Sequence, residues 1–276
     1  MLNPPIAWPN DTDALTALCA ARRVVIVAAH PDDDVIGAGA LLPGLANPFV
    51  LYVTDGAPAN MTDARRAGFA ARMDYARARR REAEAALAIA RLGPERILSL
   101  DIVDQDASNH LAELSRRVAD TFTHLLPDIV LTHPYEGGHP DHDSTAFAVH
   151  AAGALLQISG AKAPAIAEMA SYHRGENGIA ACVFLPSRVE EAVKHLSLDE
   201  QDRKRRMRDC HASQAMTLAP FPMDVERFRA APAYDFTAPP HAGMLLYEMY
   251  DWGMDGARWR TLARSALRSL GLESGC

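Results

Sequence analysis

The sequence predicts an α/β fold, a Rossmann-like, doubly wound and mostly parallel sheet with an irregular C-terminal portion. Three observations predict it. Short, continuous, β-branched apolar runs recur at residues 23–29, 49–54 and 128–132, the pattern of strands buried on both faces. Helix-forming stretches separate them, as parallel strands require. Two of the runs break off at His30-Pro31-Asp32-Asp33 and at His133-Pro134, where an open α/β sheet carries its polar loops.

The elements follow in order. Residues 23–29 read as a central parallel strand, 34–46 as a crossover helix despite Gly37 and Gly39, and 49–54 as the next strand, ending in Asp55-Gly56; together they make a βαβ unit. Thr62 caps a long Ala/Arg-rich helix to about residue 92, where Gly93 and Pro94 supply stop signals. A strand at 96–100, a helix at 109–125, the strand at 128–132 and a helix at about 143–158 continue the alternation. Beyond it the pattern loosens, with strand candidates at 165–172 and 181–185. Ser197 and Glu200 form a capping-box pattern ahead of a charged helix to about residue 215, and the Pro-rich stretch 220–240 reads as surface loop. The expectation is one domain over residues 1–276, with its α/β core at about 20–160 and a C-terminal elaboration at 161–276.

Composition bounds the function. A chain of 276 residues, 49% apolar and 23% charged, can bury a large core and has neither a disordered nor a fibrous composition. A net charge of -7 offers no overall basic field for phosphate backbones, so no nucleic acid is expected as partner. Cys19, Cys182, Cys210 and Cys276 form no CxxC pair and read as reduced thiols, which points to a cytoplasmic location. The start, Met1-Leu2-Asn3-Pro4-Pro5, lacks a basic and apolar leader, and no run of about twenty apolar residues suggests a membrane span. The 220–240 stretch is suited to covering a pocket or the face of a homo-oligomer.

The segments 30–34 and 133–142 bring four histidines and several carboxylates to one sheet edge, the donor set for a metal held by imidazole nitrogen and carboxylate oxygen. A lone polar residue at a strand mouth is usually a cap or a loop hydrogen bonder, and Asp34, Asp143 and Ser144 are read that way. Clustered His and Asp without a metal would need several mutually compensating hydrogen bonds, which favours ligation for His30, Asp33 and His142. Gly37-x-Gly39 is not a dinucleotide fingerprint, because the next glycine is Gly44 and the glycines fall inside the helix pattern.

Ala29-His30-Pro31-Asp32-Asp33-Asp34 followed by Gly138-His139-Pro140-Asp141-His142 resembles the paired signature of the PIG-L/LmbE-like zinc N-deacetylases, which remove acetyl groups from N-acetylglucosaminyl compounds and related amides. Thr54-Asp55-Gly56, Arg79 with Glu82, Leu92-Gly93, Asp104 and Ser213-Gln214 extend the similarity over most of the chain. The resemblance implies His30, Asp33 and His142 as ligands of Zn²⁺ or another first-row divalent ion, and Asp32 as general base. It implies His139 as acid or oxyanion stabiliser, Asp141 as the group orienting it, Arg79 and Asp104 as substrate-binding residues, and a small sugar-like N-acyl substrate. The family's first motif usually ends in Glu where this chain has Asp34, and a Tyr that precedes the second motif in some members is here Gly137, with Tyr135 the nearest aromatic.

Other residues have plainer readings. Arg77 to Arg81 lie in a helix whose default is a solvated face, and Asp104 is equally suited to a turn. His110, His124, His150, His195 and His241 read as structural, and His133, His173 and His211 as neighbours of the pocket. Two other function classes fit part of the pattern: a non-haem Fe(II) oxygenase using two histidines and one carboxylate, and a non-catalytic carbohydrate-binding module. An acid and a base retained beside the ligands argue for hydrolysis over both.

Overall fold

The computed structural model describes residues 8, 12–176 and 178–273; Cys276 and the Met1-to-Pro5 start lie outside them. The elements are α1 (Ala14–Ala20), β1 (Val24–Ala28), α2 (Asp33–Ala38), β2 (Phe49–Pro58), α3 (Thr62–Arg66), α4 (Arg72–Ile89), β3 (Ile97–Asp104) and α5 (Leu111–Leu125). They continue with β4 (Ile129–Thr132), α6 (Pro140–Ile158), β5 (Ala165–Met169), β6 (Tyr172–Gly175), β7 (Gly178–Ala181), β8 (Glu191–His195), α7 (Leu198–Asp209), α8 (Ala215–Leu218), β9 (Val225–Ala230) and α9 (Gly256–Leu270).

Seven strands make one sheet in the order β3-β2-β1-β4-β5-β9-β8, parallel from β3 to β5 and antiparallel at β9 and β8. This is the expected fold class, and the chain's winding reverses between β1 and β4. Side chains alternate along β1. Val24, Ile26 and Ala28 enter the core on one face, and Val25 and Val27 the core on the other. Both faces are covered, which is why the strand reads as an unbroken apolar run. A third core, with Trp259, Phe236 and Tyr135, packs α9 against α6. No helix of the described residues is long and apolar enough to cross a membrane. Cys19, Cys182 and Cys210 are free thiols.

Several boundaries differ from expectation. The helix over 62–92 is two helices, broken between Arg66 and Arg72 where Gly68 falls. The crossover helix over 34–46 is only the six-residue α2 and a short 3-10 turn, Leu42–Gly44, with Pro43 inside it. Gly37 lies in close contact with β5: a Cβ would stand 2.5 Å from Met169 Sδ, so a larger residue would have to displace that side chain. The 165–172 strand ends at Met169 and restarts as β6, pairing with β7, while 182–185 carries no strand. The Ser197/Glu200 capping box forms, but its helix stops at Asp209. Within the 220–240 stretch lies β9, an interior strand of the sheet. Elements α1, β8 and α9 had no counterpart in the sequence reading.

Two buried ionic groups fasten the C-terminal portion to the core. Lys204 Nζ donates to the Ile36 carbonyl (2.7 Å) and Glu226 Oε1 (2.9 Å), while Glu226 accepts the Ala40 and Leu41 N–H groups at 2.7 and 3.1 Å. A carbonyl of α2 and two amides just beyond it thus find partners on α7 and β9. Arg229 on β9 donates to Glu168 on β5 (2.7 Å) and to Glu136 in the loop after β4 (3.1 Å), with its guanidinium 4.1 Å from the Phe184 ring.

Candidate active site

The polar cluster lies beyond the carboxyl ends of β1 and β4, at the point where strand order reverses, which is where open α/β sheets form clefts. From β1 the chain runs straight into His30 and Asp32, and Asp33 opens α2. From β4 it runs through His133 to His139, which is the N-cap of α6 and therefore turns His142 back over the site one turn later. Gly138 is obligatory in this loop, since a Cβ would stand 2.0 Å from the Tyr172 carbonyl oxygen.

His30, Asp33 and His142 converge. His142 Nε2 lies 3.3 Å from His30 Nδ1 and 3.2 Å from Asp33 Oδ1, and His30 Nδ1 lies 3.3 Å from Asp33 Oδ2. Ligands at about 2.0 to 2.2 Å in tetrahedral geometry stand roughly 3.3 to 3.6 Å from one another, the separation of the two imidazole nitrogens here, and each nitrogen faces a different oxygen of the Asp33 carboxylate. The outer nitrogens are already occupied. His30 Nε2 bonds Asp104 Oδ1 (3.1 Å) and His142 Nδ1 bonds Ser171 Oγ (3.1 Å), which turns the inner nitrogens toward the centre. The donor set fits a divalent ion. A second group, His30, Asp104, His139 and Asp141, is also close enough to share an ion, but its carboxylates are committed: Asp141 accepts the Gln105 and Ala107 N–H groups at 2.6 and 3.1 Å.

Charge in the cluster follows burial and neighbours. Burial lowers the His30 imidazole, but Asp104, Asp141 and Asp33 outweigh it and hold it well above its usual range. Asp33 is resisted by burial yet held well below the carboxylate range by His142 and His133. Burial depresses His142 to about 3, with Asp33 opposing, and also keeps His139 neutral, with His30 and His142 adding to it. Burial lifts Asp32 to about 6 against the pull of Arg79.

Every sequence-predicted site residue lies in or beside this cluster, several in unforeseen contacts. Arg79 is not on a solvated face: it is 3% exposed, and donates to Asp32 Oδ2 (3.0 Å) and the Gly56 carbonyl (3.0 Å). Asp104 bonds His30 Nε2 rather than merely shaping a turn. The Asp141 N–H, not its carboxylate, donates to His139 Nδ1 (3.1 Å). Asp34 accepts from the Tyr52 hydroxyl at 2.9 Å, which is the contact made by the shorter acid. Tyr135 points away, its hydroxyl on the Ala238 carbonyl and its ring stacked on Trp259. His133 stacks on His142 with centroids 4.0 Å apart and accepts the Ala29 N–H. Among the pocket candidates, His173 and His211 are buried. Ser171, Tyr172 and Trp252 border the cluster without any sequence signal, since each lies in the loosely patterned C-terminal portion.

The family model described as PIG-L, GlcNAc-PI de-N-acetylase, matches residues 25–153, the stretch holding both histidine segments. Over residues 25–153 the chain is similar to the PIG-L family. No curated protein matches the chain. Among solved structures, the chain resembles the A40926 pseudoaglycone deacetylase, with TM-score 0.60 and 19% identity over 78% of this chain and 98% of that one. It also resembles the N,N'-diacetylchitobiose deacetylase of Pyrococcus horikoshii, with TM-score 0.53 and 20% identity over 77% and 85%. The 4-carboxy-2-hydroxymuconate hydratase of Pseudomonas putida KT2440 has the same fold, with TM-score 0.53 and 19% identity over 78% and 98%. At these identities the likeness is one of fold.

Proposed function

We propose that the protein hydrolyses an N-acyl amide, in the first instance N-acetyl, on a small sugar-like substrate, with a divalent ion, zinc first, held by His30, Asp33 and His142. The observation that carries this reading is the convergence of His30, Asp33 and His142, with contacts of 3.2 to 3.3 Å to one another, beside a buried carboxylate, Asp32, and a neutral imidazole, His139. The family match supports it. Such an ion supplies Lewis acidity toward a carbonyl oxygen and acidifies a water toward neutrality.

The chain's own residues do the rest. Arg79 anchors Asp32 by Oδ2, which leaves Oδ1 to accept a proton from the attacking water, and a carboxyl near 6 has the basicity such a transfer needs at neutral pH. His139 accepts the Asp141 N–H at Nδ1, so its proton sits on Nε2, placed to hydrogen-bond the developing oxyanion, while the proton that Asp32 takes from the water passes on to the departing amine. Asp104 fixes the His30 tautomer through Oδ1 and keeps Oδ2 for a substrate hydroxyl. An Fe(II) oxygenase would share the three ligands but has no use for Asp32 as a base, and a binding module needs neither base nor acid.

The test joins metal analysis of the purified protein to amine release from N-acetylated amino sugars. Asp32→Asn keeps size and most hydrogen bonding, so turnover should fall about a hundredfold or more with metal content unchanged. Loss of metal in that variant, with residual turnover in proportion to occupancy, would make Asp32 a ligand. No amine release from any N-acyl compound by metal-loaded protein would end the reading.

A further inference from the structure

The sheet has two edges, and they are finished differently. On β3 the pairing with β2 slips between Tyr52 and Thr54 and again between Thr54 and Pro58, and Asp101 stands in the left-handed region at φ 52°. Such an irregular edge is a poor template for a further strand. On β8 the pairing with β9 is unbroken from Glu191 opposite Arg229 to His195 opposite Val225. The Leu196 N–H donates to the Asp224 carbonyl at 2.9 Å, so by alternation the backbone groups of Ala192 and Lys194 also point to β9. Those of Glu191, Val193 and His195 point out of the sheet, and no strand of the described residues lies beyond them. The strand holds no proline, and its lysine, Lys194, is turned aside to Glu200 at 2.7 Å, so the usual guards of an edge do not act here.

The side chains of the same three residues are exposed and share one face, with Val193 between an acid and a histidine. Read in the opposite direction the order is histidine, valine, acid, so the strand is complementary to itself. We propose that β8 is the interface of a homodimer, in which two copies of the chain join their sheets antiparallel about a two-fold axis at Val193. Val193 then meets Val193 of the partner subunit, and Glu191 meets His195 of the partner subunit at both ends of the contact. These are hydrogen-bonded pairs, so about six N–H···O=C bonds form and every outward backbone group of the strand is used. Glu191 lies 3.5 Å from Arg227 on β9, which holds its carboxylate on the face where the partner's His195 arrives. Leu198 opens α7 just past the strand and is 80% exposed, adding apolar surface to the contact. In the sheet order β5 and β9 separate β8 from β4, so the dimer leaves the histidine cluster open and is independent of the reaction proposed for it.

Sedimentation velocity of the full chain at neutral pH, from about 0.1 to 100 μM, should show the monomer giving way to a species of twice its mass. A monomer throughout would overturn the proposal. Charge tests the register. His195→Glu sets acid against acid at both ends, and Glu191→Lys sets lysine against histidine, so each variant alone should dimerise about tenfold more weakly than wild type or worse. An equimolar mixture of the two variants should recover the wild-type affinity, because every acid then faces a base. Undiminished dimerisation of His195→Glu, or no gain on mixing, would refute the antiparallel contact. Amide hydrogen exchange on the unaltered protein needs no variant to fold: residues 191–195 should exchange about tenfold more slowly where the dimer predominates than where the monomer does. A dimer whose formation leaves exchange in that segment unchanged would have its interface elsewhere, and the proposal would fall.

Discussion

Replacing Arg229 by Met should destabilise the protein strongly, and more so at alkaline than at acid pH. The guanidinium is 2% exposed and serves two buried carboxylates, Glu168 on the neighbouring strand and Glu136 three residues before His139. Removing one partner from a buried ionic group costs about 3–5 kcal/mol, because the remaining charge is left uncompensated. At roughly 2 to 4 °C per kcal/mol for a chain of this size, the melting temperature should fall by about 10 °C near pH 8. The pH dependence follows from the carboxyls. Burial raises both Glu136 and Glu168 to about 7, with Arg229 pulling each down. An acid raised in the folded state contributes most below its unfolded value of 4.5, and the contribution is lost as pH rises through 7. Without Arg229 both groups rise further, so the penalty extends to higher pH. At pH 5 they are protonated in the fold and the deficit should shrink to about 1–2 kcal/mol of lost hydrogen bonding. Urea titrations of wild type and Arg229→Met at pH 5 and 8 measure both deficits. Equal deficits, or a larger one at pH 5, would refute the reasoning. Glu136→Gln is the companion: it removes one of two carboxylates sharing a single cation, and should cost under about 1 kcal/mol at pH 8.

Two further outcomes are expected. Gly138→Ala places a Cβ 2.0 Å from a backbone oxygen that no rotamer change can move, so it should cost about 1–3 kcal/mol or more in urea unfolding and loosen Ser171 from His142; full stability would show the loop to be pliable. Chelation should lower the melting temperature by several degrees, since an ion at a hundred times its dissociation constant stabilises the fold by about 2.7 kcal/mol; zinc should restore it in wild type and fail to do so in Asp33→Ala.

The sheet was legible because β1, β2 and β4 are buried on both faces, which writes an apolar run directly into the sequence. Strand β9 was not. Its inner positions, Glu226 and Arg229, are buried ions paired with Lys204, Glu168 and Glu136, and these read as surface charge until their partners are known. Arg79 misled for the same reason, one buried arginine within an otherwise exposed basic run. The two histidine segments stood out because each follows a legible strand. Ser171 and Trp252 have no such marker: they reach the site through the path of the C-terminal chain, which local pattern does not encode.

The Lys204–Glu226 pair has an implication for inheritance. Asp33 starts a helix of six residues whose far end is satisfied by groups some 170 and 190 positions later, so the first histidine segment cannot be transplanted with its own strand and loop alone. A graft or truncation ending near residue 153 would carry every proposed ligand and still leave Ile36, Ala40 and Leu41 without their partners. Chimaeras between distant relatives should therefore succeed only when the exchange carries α7 and β9 along with the motif, and lineages that diverge in one of these pieces should be found to have changed in the other.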